Sequence, residues 1–263
     1  MRILIEEYPG SVDAARFLIA ARDAGVPGPR LPADCRPQTQ GQAFAVQRST
    51  ARLLRETRRD DIAAWKSALP TPEKSVVAPI YTSTVHFSAA SPVPAQGAVV
   101  RVEPEIAFEL ARDLPARAQP YSEAEIDAAV GGARLALEVL GCRYALPEHA
   151  SLPELLADHM FNQGLVLGPR IASADDAPAS MTITLSVDGQ DAEQHAGIHP
   201  NGRPKAGLYW LANFLREQGA GLRAGQHVIT GSYAGFLDVP AGRDLEIAYG
   251  DLGVLRLRFE ARG

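Results

Sequence analysis

The sequence predicts an α+β fold with a mixed or largely antiparallel sheet. Three observations lead there. To about residue 75, apolar residues recur mostly at helical spacing. From residue 76 on, short strand-length apolar runs punctuated by glycine and proline take over. Two helical stretches interrupt those runs, too few for the strict strand–helix alternation of a parallel doubly wound sheet. The expected organisation is a helical portion over 1–75 and a β-rich domain over 76–263.

The elements follow in order. "SVDAARFLIAARDAG" starts at Ser11 as N-cap, carries the stripe Val12, Ala15, Leu18 and Ile19, and stops at Gly25. A Pro-rich connection over 26–40 leads to the amphipathic "QAFAVQRSTARLLRETRRDD". Strands are expected in "VVAPIYTSTV", "GAVVRVEPEIAFEL", "ARLALEVLGCRY", "GLVLGPRI", "MTITLSVDG", "QHVITGSY" and "VLRLRFE". The interrupting helices are "YSEAEIDAAVGG", opened by a Ser122–Glu125 capping box and halted at Gly131–Gly132, and "LYWLANFLREQG", ending at Gly219.

Composition bounds the function. With 46% hydrophobic and 22% charged residues and a net charge of −5, the chain can bury a core but offers nucleic acid no basic surplus. Cys35 and Cys142 lie far apart without a CxxC, which excludes a disulfide framework and a zinc–thiolate site. "MRILIEEYPG" is too short an apolar run for a signal peptide, and no run reaches a membrane span, so a cytoplasmic protein is expected. Basic residues are nearly all arginine. The lysines are Lys66, Lys74 and Lys205, so each is a candidate for a role that arginine cannot fill.

"RVEPEIAFEL" holds the main chemical question. In a strand, Val100, Val102, Pro104, Ile106 and Phe108 share one apolar face, and Arg101, Glu103, Glu105, Ala107 and Glu109 the other. Glu103 and Glu105 then lie about 7 Å apart. Pattern alone favours a solvated face relieved by Arg101. The alternative is a divalent-cation site, since carboxylates are hard oxygen ligands for Mg²⁺, Mn²⁺ or Ca²⁺. Glu138, set in the apolar run "LALEVL", supplies a third acid that is costly to bury alone.

The blocks "VEPEIAFEL", "ARLALEVLGCRY", "LLADHMFNQGLVLGP" and "GAGLRAGQHVITGS", preceded by "QGQAFAVQRSTARLL" and "DIAAWKSALP", resemble in order the 2-keto-4-pentenoate hydratase group of the fumarylacetoacetate hydrolase superfamily. The resemblance implies a mixed β-roll or sandwich core with a helical N-terminal portion. It implies Mg²⁺ or Mn²⁺ held by Glu103, Glu105 and Glu138. It also implies catalytic roles for Lys66 and Asp158, and substrate binding by Arg143, Thr230, Gly231 and Ser232. The implied substrate is a small 2-keto acid or its enol, such as 2-hydroxypenta-2,4-dienoate. Partners would be further copies of the chain or a related decarboxylase, with no nucleic acid and no membrane.

Three departures fall near these residues. Lys66 sits in Ala64–Trp65–Lys66–Ser67–Ala68 without the group's flanking glycines. "EVLGCR" places Gly141 and Cys142 where an aspartate and a serine are usual. "ADHMF" places His159 and Phe161 where asparagine and serine are usual. A retained metal core with altered substrate selection is expected. His159 is a candidate catalytic base near neutral pH, though a residue that packs or faces solvent is the favoured alternative. His195 and His199 have HxxxH spacing, but Gly197 and Pro200 argue for a loop, and both are read as structural. The activity expected is hydration of a 2-keto-enoic acid. The alternatives are an oxo-acid decarboxylase, a C–C hydrolase, or a non-catalytic keto-acid-binding relative.

Overall fold

The apolar stripe near the N-terminus forms helix α1 (Ser11–Ala24), closed by Gly25 in the left-handed conformation, as its pattern requires. A computed structural model describes residues 4–90, 92–190 and 192–261. Helix α2 (Gln40–Arg58) follows, with the Thr39 hydroxyl accepting the Gln42 N–H at its start. The two helices pack together through Ala14, Ala15, Leu18, Ala43 and Val46.

The helical expectation fails at residues 62–68, which form strand β1 (Ile62–Ala68). Its short alternation "AWKS" was hidden between a strong helix and a Pro-rich loop. Trp65 turns into the main core and Lys66 to the other face. The remaining strands are β2 (Val76–Tyr81), β3 (Val85–Phe87), β4 (Val93–Ala95), β5 (Val99–Leu110), β6 (Val130–Leu140), β7 (Asn162–Arg170), β8 (Ser180–Val187), β9 (Glu193–Ile198), β10 (His227–Ile229), β11 (Leu237–Pro240), β12 (Asp244–Tyr249) and β13 (Val254–Ala261).

These strands make two sheets. The larger runs β2-β1-β10-β5-β6-β7-β3, with β11 also on β5; the smaller runs β4-β13-β12-β8-β9. Both mix parallel and antiparallel pairs: β1–β10, β3–β7 and β4–β13 are parallel. The sheets meet where Gly168 of β7 lies under Leu255 of β13; a Cβ there would come within 2.8 Å of the leucine. The Tyr249 hydroxyl of β12 ties them further by donating to the Ala136 carbonyl of β6.

The capping box Ser122–Glu125 is present, but helix α3 (Glu123–Asp127) is shorter than expected. Gly131 and Gly132 do not end it; they lie inside β6, where a Cβ on Gly131 would come 2.6 Å from Ala111. A second capping box, Ser151 with Glu154, opens helix α4 (Leu152–Ala157), which was not among the expected elements; Pro153 sits in its first turn. Helix α5 (Ala206–Glu217) matches expectation. His195 lies in strand β9 rather than a loop, while His199 follows it in a turn. Among the described residues no helix is long and apolar enough to cross a membrane.

Candidate metal centre and its cleft

Strands β5 and β6 pair antiparallel in a register that sets Glu103 directly opposite Glu138. Like charges across a ladder repel, so pairing alone would select against this. Burial sharpens the conflict: Glu105 is 1% exposed and Glu138 fully buried. The solvated-face reading therefore fails. One carboxylate oxygen from each of Glu103, Glu105 and Glu138 lies within 4.8 Å of the others.

Several groups address this charge. Lys66 from β1 brings its Nζ to 3.0 Å from Glu138 Oε1 and 3.9 Å from Glu103 Oε2. The Asn162 amide donates to Glu138 Oε1 at 2.8 Å, and the Gly231 N–H donates to Glu105 Oε2 at 2.6 Å. Among the described residues Glu138 Oε2 has no hydrogen-bond partner, although it is buried. Burial, and then the neighbouring Glu138, raise Glu103 to about 7. Burial, then Glu138 and Glu103, push Glu105 well above the usual carboxylate range. Three convergent hard-oxygen donors, one orphaned oxygen and this unrelieved repulsion fit a divalent cation.

Lys66 supplies the opposing charge. Burial opposes its charge, but Glu138, Glu103 and Glu105 outweigh that and hold the ammonium above its ordinary value. The ammonium therefore stays charged and sets positive charge against the three acids. The cleft beside it encloses about 380 Å³ and is also lined by Leu140, Met160, Phe161, Gly231 and Ser232.

Gly231 is fixed by space and backbone together. Its φ is 136°, and a Cβ would sit 2.6 Å from Pro200 Cγ. Pro200 is held through His199, whose Nε2 lies 3.2 Å from Thr230 Oγ1. Thr230 donates its own hydroxyl proton to the Pro204 carbonyl, so it accepts from His199 Nε2–H. Burial lowers His199 to about 4, so this bond is neutral at ordinary pH. Gly231→Ala is expected to lower the melting temperature by several degrees and weaken Mn²⁺ binding, because the Glu105 donor must move. Thermal scans with and without Mn²⁺ would check this; equal shifts in both would separate the donor from the metal.

Other expected site residues lie elsewhere. Thr230 is buried and faces His199 and Pro204 rather than the cleft. Arg143 and Asp158 pair with each other, both buried, with Arg143 also reaching Gln163 Oε1. That pair is satisfied internally, and neither residue is among those lining the cleft beside the acids. Gln163 takes the space beside Gly141, where a Cβ would meet its Oε1 at 3.0 Å. His159 is 2% exposed, and burial, then Arg22 and Arg143, push it well below its ordinary range. It bonds Tyr81 and lines a different cavity with Arg22, in keeping with the packed alternative.

Sequence reasoning missed Asn162, Met160 and the Gly231 N–H. The signal for Asn162 was an amide placed at the start of an apolar strand. Met160 acts through its carbonyl, which accepts from Lys66 at 3.2 Å. Carbonyl direction depends on backbone dihedrals, and at residues 159–161 these are left-handed, at roughly 1–2 kcal/mol each.

Residues 42–260 match the fumarylacetoacetate (FAA) hydrolase C-terminal family. The chain belongs to this family. It is 31% identical over 162 residues to a 2-keto-4-pentenoate hydratase of Paraburkholderia xenovorans (strain LB400). That match covers 61% of this chain and 59% of the relative. It is 26% identical to a 2-oxo-hept-4-ene-1,7-dioate hydratase of Escherichia coli, over 82% of this chain and 85% of the relative. In fold it resembles 4-oxalocrotonate decarboxylase from Pseudomonas putida G7, complexed with magnesium and adipate. The TM-score is 0.74 at 20% identity, covering 98% of this chain and 100% of that one. The mixed two-sheet core expected from the family is thus present.

Proposed function

We propose that the protein is a Mg²⁺- or Mn²⁺-dependent hydratase of a 2-keto-enoic acid such as 2-hydroxypenta-2,4-dienoate. The observation that carries this is the convergence of Glu103, Glu105 and Glu138 with the Lys66 ammonium at one cleft. The three acids would hold the ion, which when bound supplies positive charge for the carboxylate and 2-oxo oxygens of a keto acid.

The chain's own groups account for the rest. Gly231 N–H fixes Glu105, and Asn162 fixes Glu138. Lys66, protonated, would hand a proton to the terminal carbon of a dienol as the 2-hydroxyl proton is lost and the 2-oxo group forms. Water then adds across the resulting enone, hydroxyl at the neighbouring carbon and proton at C3. Ser232, which lines the cleft, donates its hydroxyl within its own turn to Gly235 O.

The walls favour a short apolar tail: Val76, Leu140, Met160, Phe161 and Pro200 line the cleft. One observation favours the decarboxylase alternative. Lys74, exposed, also lines the cleft and suits the second carboxylate of a dicarboxylic keto acid. The reading is completed by a cytoplasmic homo-oligomer, alone or with a related decarboxylase.

The test is loss of dienol absorbance when the Mg²⁺-loaded protein meets 2-hydroxypenta-2,4-dienoate, run beside 4-oxalocrotonate and an acylpyruvate. Turnover of the first is expected. Turnover of 4-oxalocrotonate alone, with release of CO₂, would replace this reading by the decarboxylase one. Phe161→Ser is expected to lower kcat/KM for the apolar-tailed substrate about tenfold, since it opens the wall. An unchanged ratio between the two substrates would remove Phe161 from selection.

A further inference from the structure

His159, Met160 and Phe161 have φ values of 61°, 47° and 67°. One non-glycine residue in this region is uncommon, and three in succession make a complete left-handed turn. Such strain persists only where the surroundings over-determine it. Here the turn has a site-facing side and a buried back.

On the site-facing side, Met160 O accepts from Lys66 Nζ at 3.2 Å, and the next residue, Asn162, donates to Glu138 at 2.8 Å. A right-handed backbone would aim the Met160 carbonyl elsewhere. On the back, His159 Nε2 lies 3.2 Å from the Tyr81 hydroxyl, with the rings edge to face at 5.6 Å. His159 Nδ1 is buried without a partner, so Tyr81 is that ring's one hydrogen-bonding anchor among the described residues. Two further bonds pin the exit: Gly141 N–H to Phe161 O at 2.7 Å, and Arg22 to Asn162 O at 3.0 Å.

We propose that Tyr81 and His159 form a latch that holds the left-handed turn, and through it positions Lys66 and Glu138. His159 is then a positioning residue, with no contact to substrate. The bond is neutral, because burial keeps the imidazole uncharged and raises the phenol above its ordinary value. Its geometry therefore does not depend on pH in the working range. The proposal rests on Lys66 and Glu138 being site residues.

Tyr81→Phe removes one oxygen and preserves the ring. Hydrogen exchange should then quicken over residues 158–164 and at the Gly141 amide, with the rest of the large sheet unchanged. Mn²⁺ affinity should fall about tenfold, as for loss of a partner that orients a metal ligand. With a turned-over substrate, kcat should fall while KM stays within about twofold. His159→Phe removes the same bond from the other side, so the double variant should be no worse than either single. Exchange that is unchanged at 158–164, or quickened uniformly through the sheet, overturns the latch. So do losses that add in the double variant. If the wild-type protein turns over no substrate, the hydratase reading fails alone, because exchange and Mn²⁺ affinity still decide this one.

Discussion

Glu105→Gln is expected to weaken Mn²⁺ binding by about 10³-fold, roughly 4 kcal/mol, while raising the melting temperature of the metal-free protein at pH 8. The substitution keeps shape, and its amide oxygen can still accept the Gly231 N–H that Glu105 Oε2 now receives at 2.6 Å. Lys66 bonds Glu138 rather than Glu105, so the ion pair survives. Only a buried charge that burial, Glu138 and Glu103 already resist is removed. Titration with Mn²⁺ and thermal scans of the same samples measure both effects. A variant that binds Mn²⁺ as tightly as wild type would remove Glu105 from the ligand set.

The same electrostatics set a pH dependence. Glu103 is raised from an ordinary carboxylate value to about 7 by burial and Glu138. A group raised on folding contributes stability that is present below its unfolded value, near 4.5, and lost as pH rises through about 7. The metal-free protein should therefore lose stability across that window. Metal binding needs the ionised form, so protons compete with it below about 7. Mn²⁺ affinity should rise with pH over the same window, and saturating Mn²⁺ should offset the loss of stability. A flat affinity between pH 5.5 and 8 would contradict this.

How far the sequence reached can be judged from particular residues. The acid triad was legible because strand alternation and an acid in an apolar run are local signals, readable without tertiary structure. The family blocks then turned a solvated-face reading into a metal site. Strand β1 was not legible: seven residues between a helix and a loop carry too little pattern, and pairing with β2 and β10 decides them. Asp158, Arg143, Thr230 and His159 are not among the residues lining the cleft, and that direction was not legible in the sequence. Side-chain direction there depends on a left-handed turn and a buried ion pair, both set by distant contacts. Backbone groups such as Gly231 N–H and Met160 O leave no residue-type signature at all.

Lys66→Met is expected to lower turnover by at least about 10²-fold, as for loss of a positioned acid. Its structural effect separates catalysis from charge balance. Glu138, fully buried, would keep Asn162 as partner on Oε1 and, among the described residues, nothing on Oε2. Breaking a buried pair from one side costs about 3–5 kcal/mol unless the remaining acid takes up a proton. The metal-free variant should melt well below wild type, and Mn²⁺ should raise its melting temperature more than it raises that of wild type. Lys66→Arg then isolates the ammonium. The chain places arginine at nearly every other basic position, so charge alone would not have kept a lysine here. A guanidinium can pair with Glu138 but is a planar fork that does not release its proton. Lys66→Arg should therefore restore much of the stability without restoring turnover. Full activity in Lys66→Arg would show that Lys66 supplies charge only, and would move the proton-donor role to another group at the cleft.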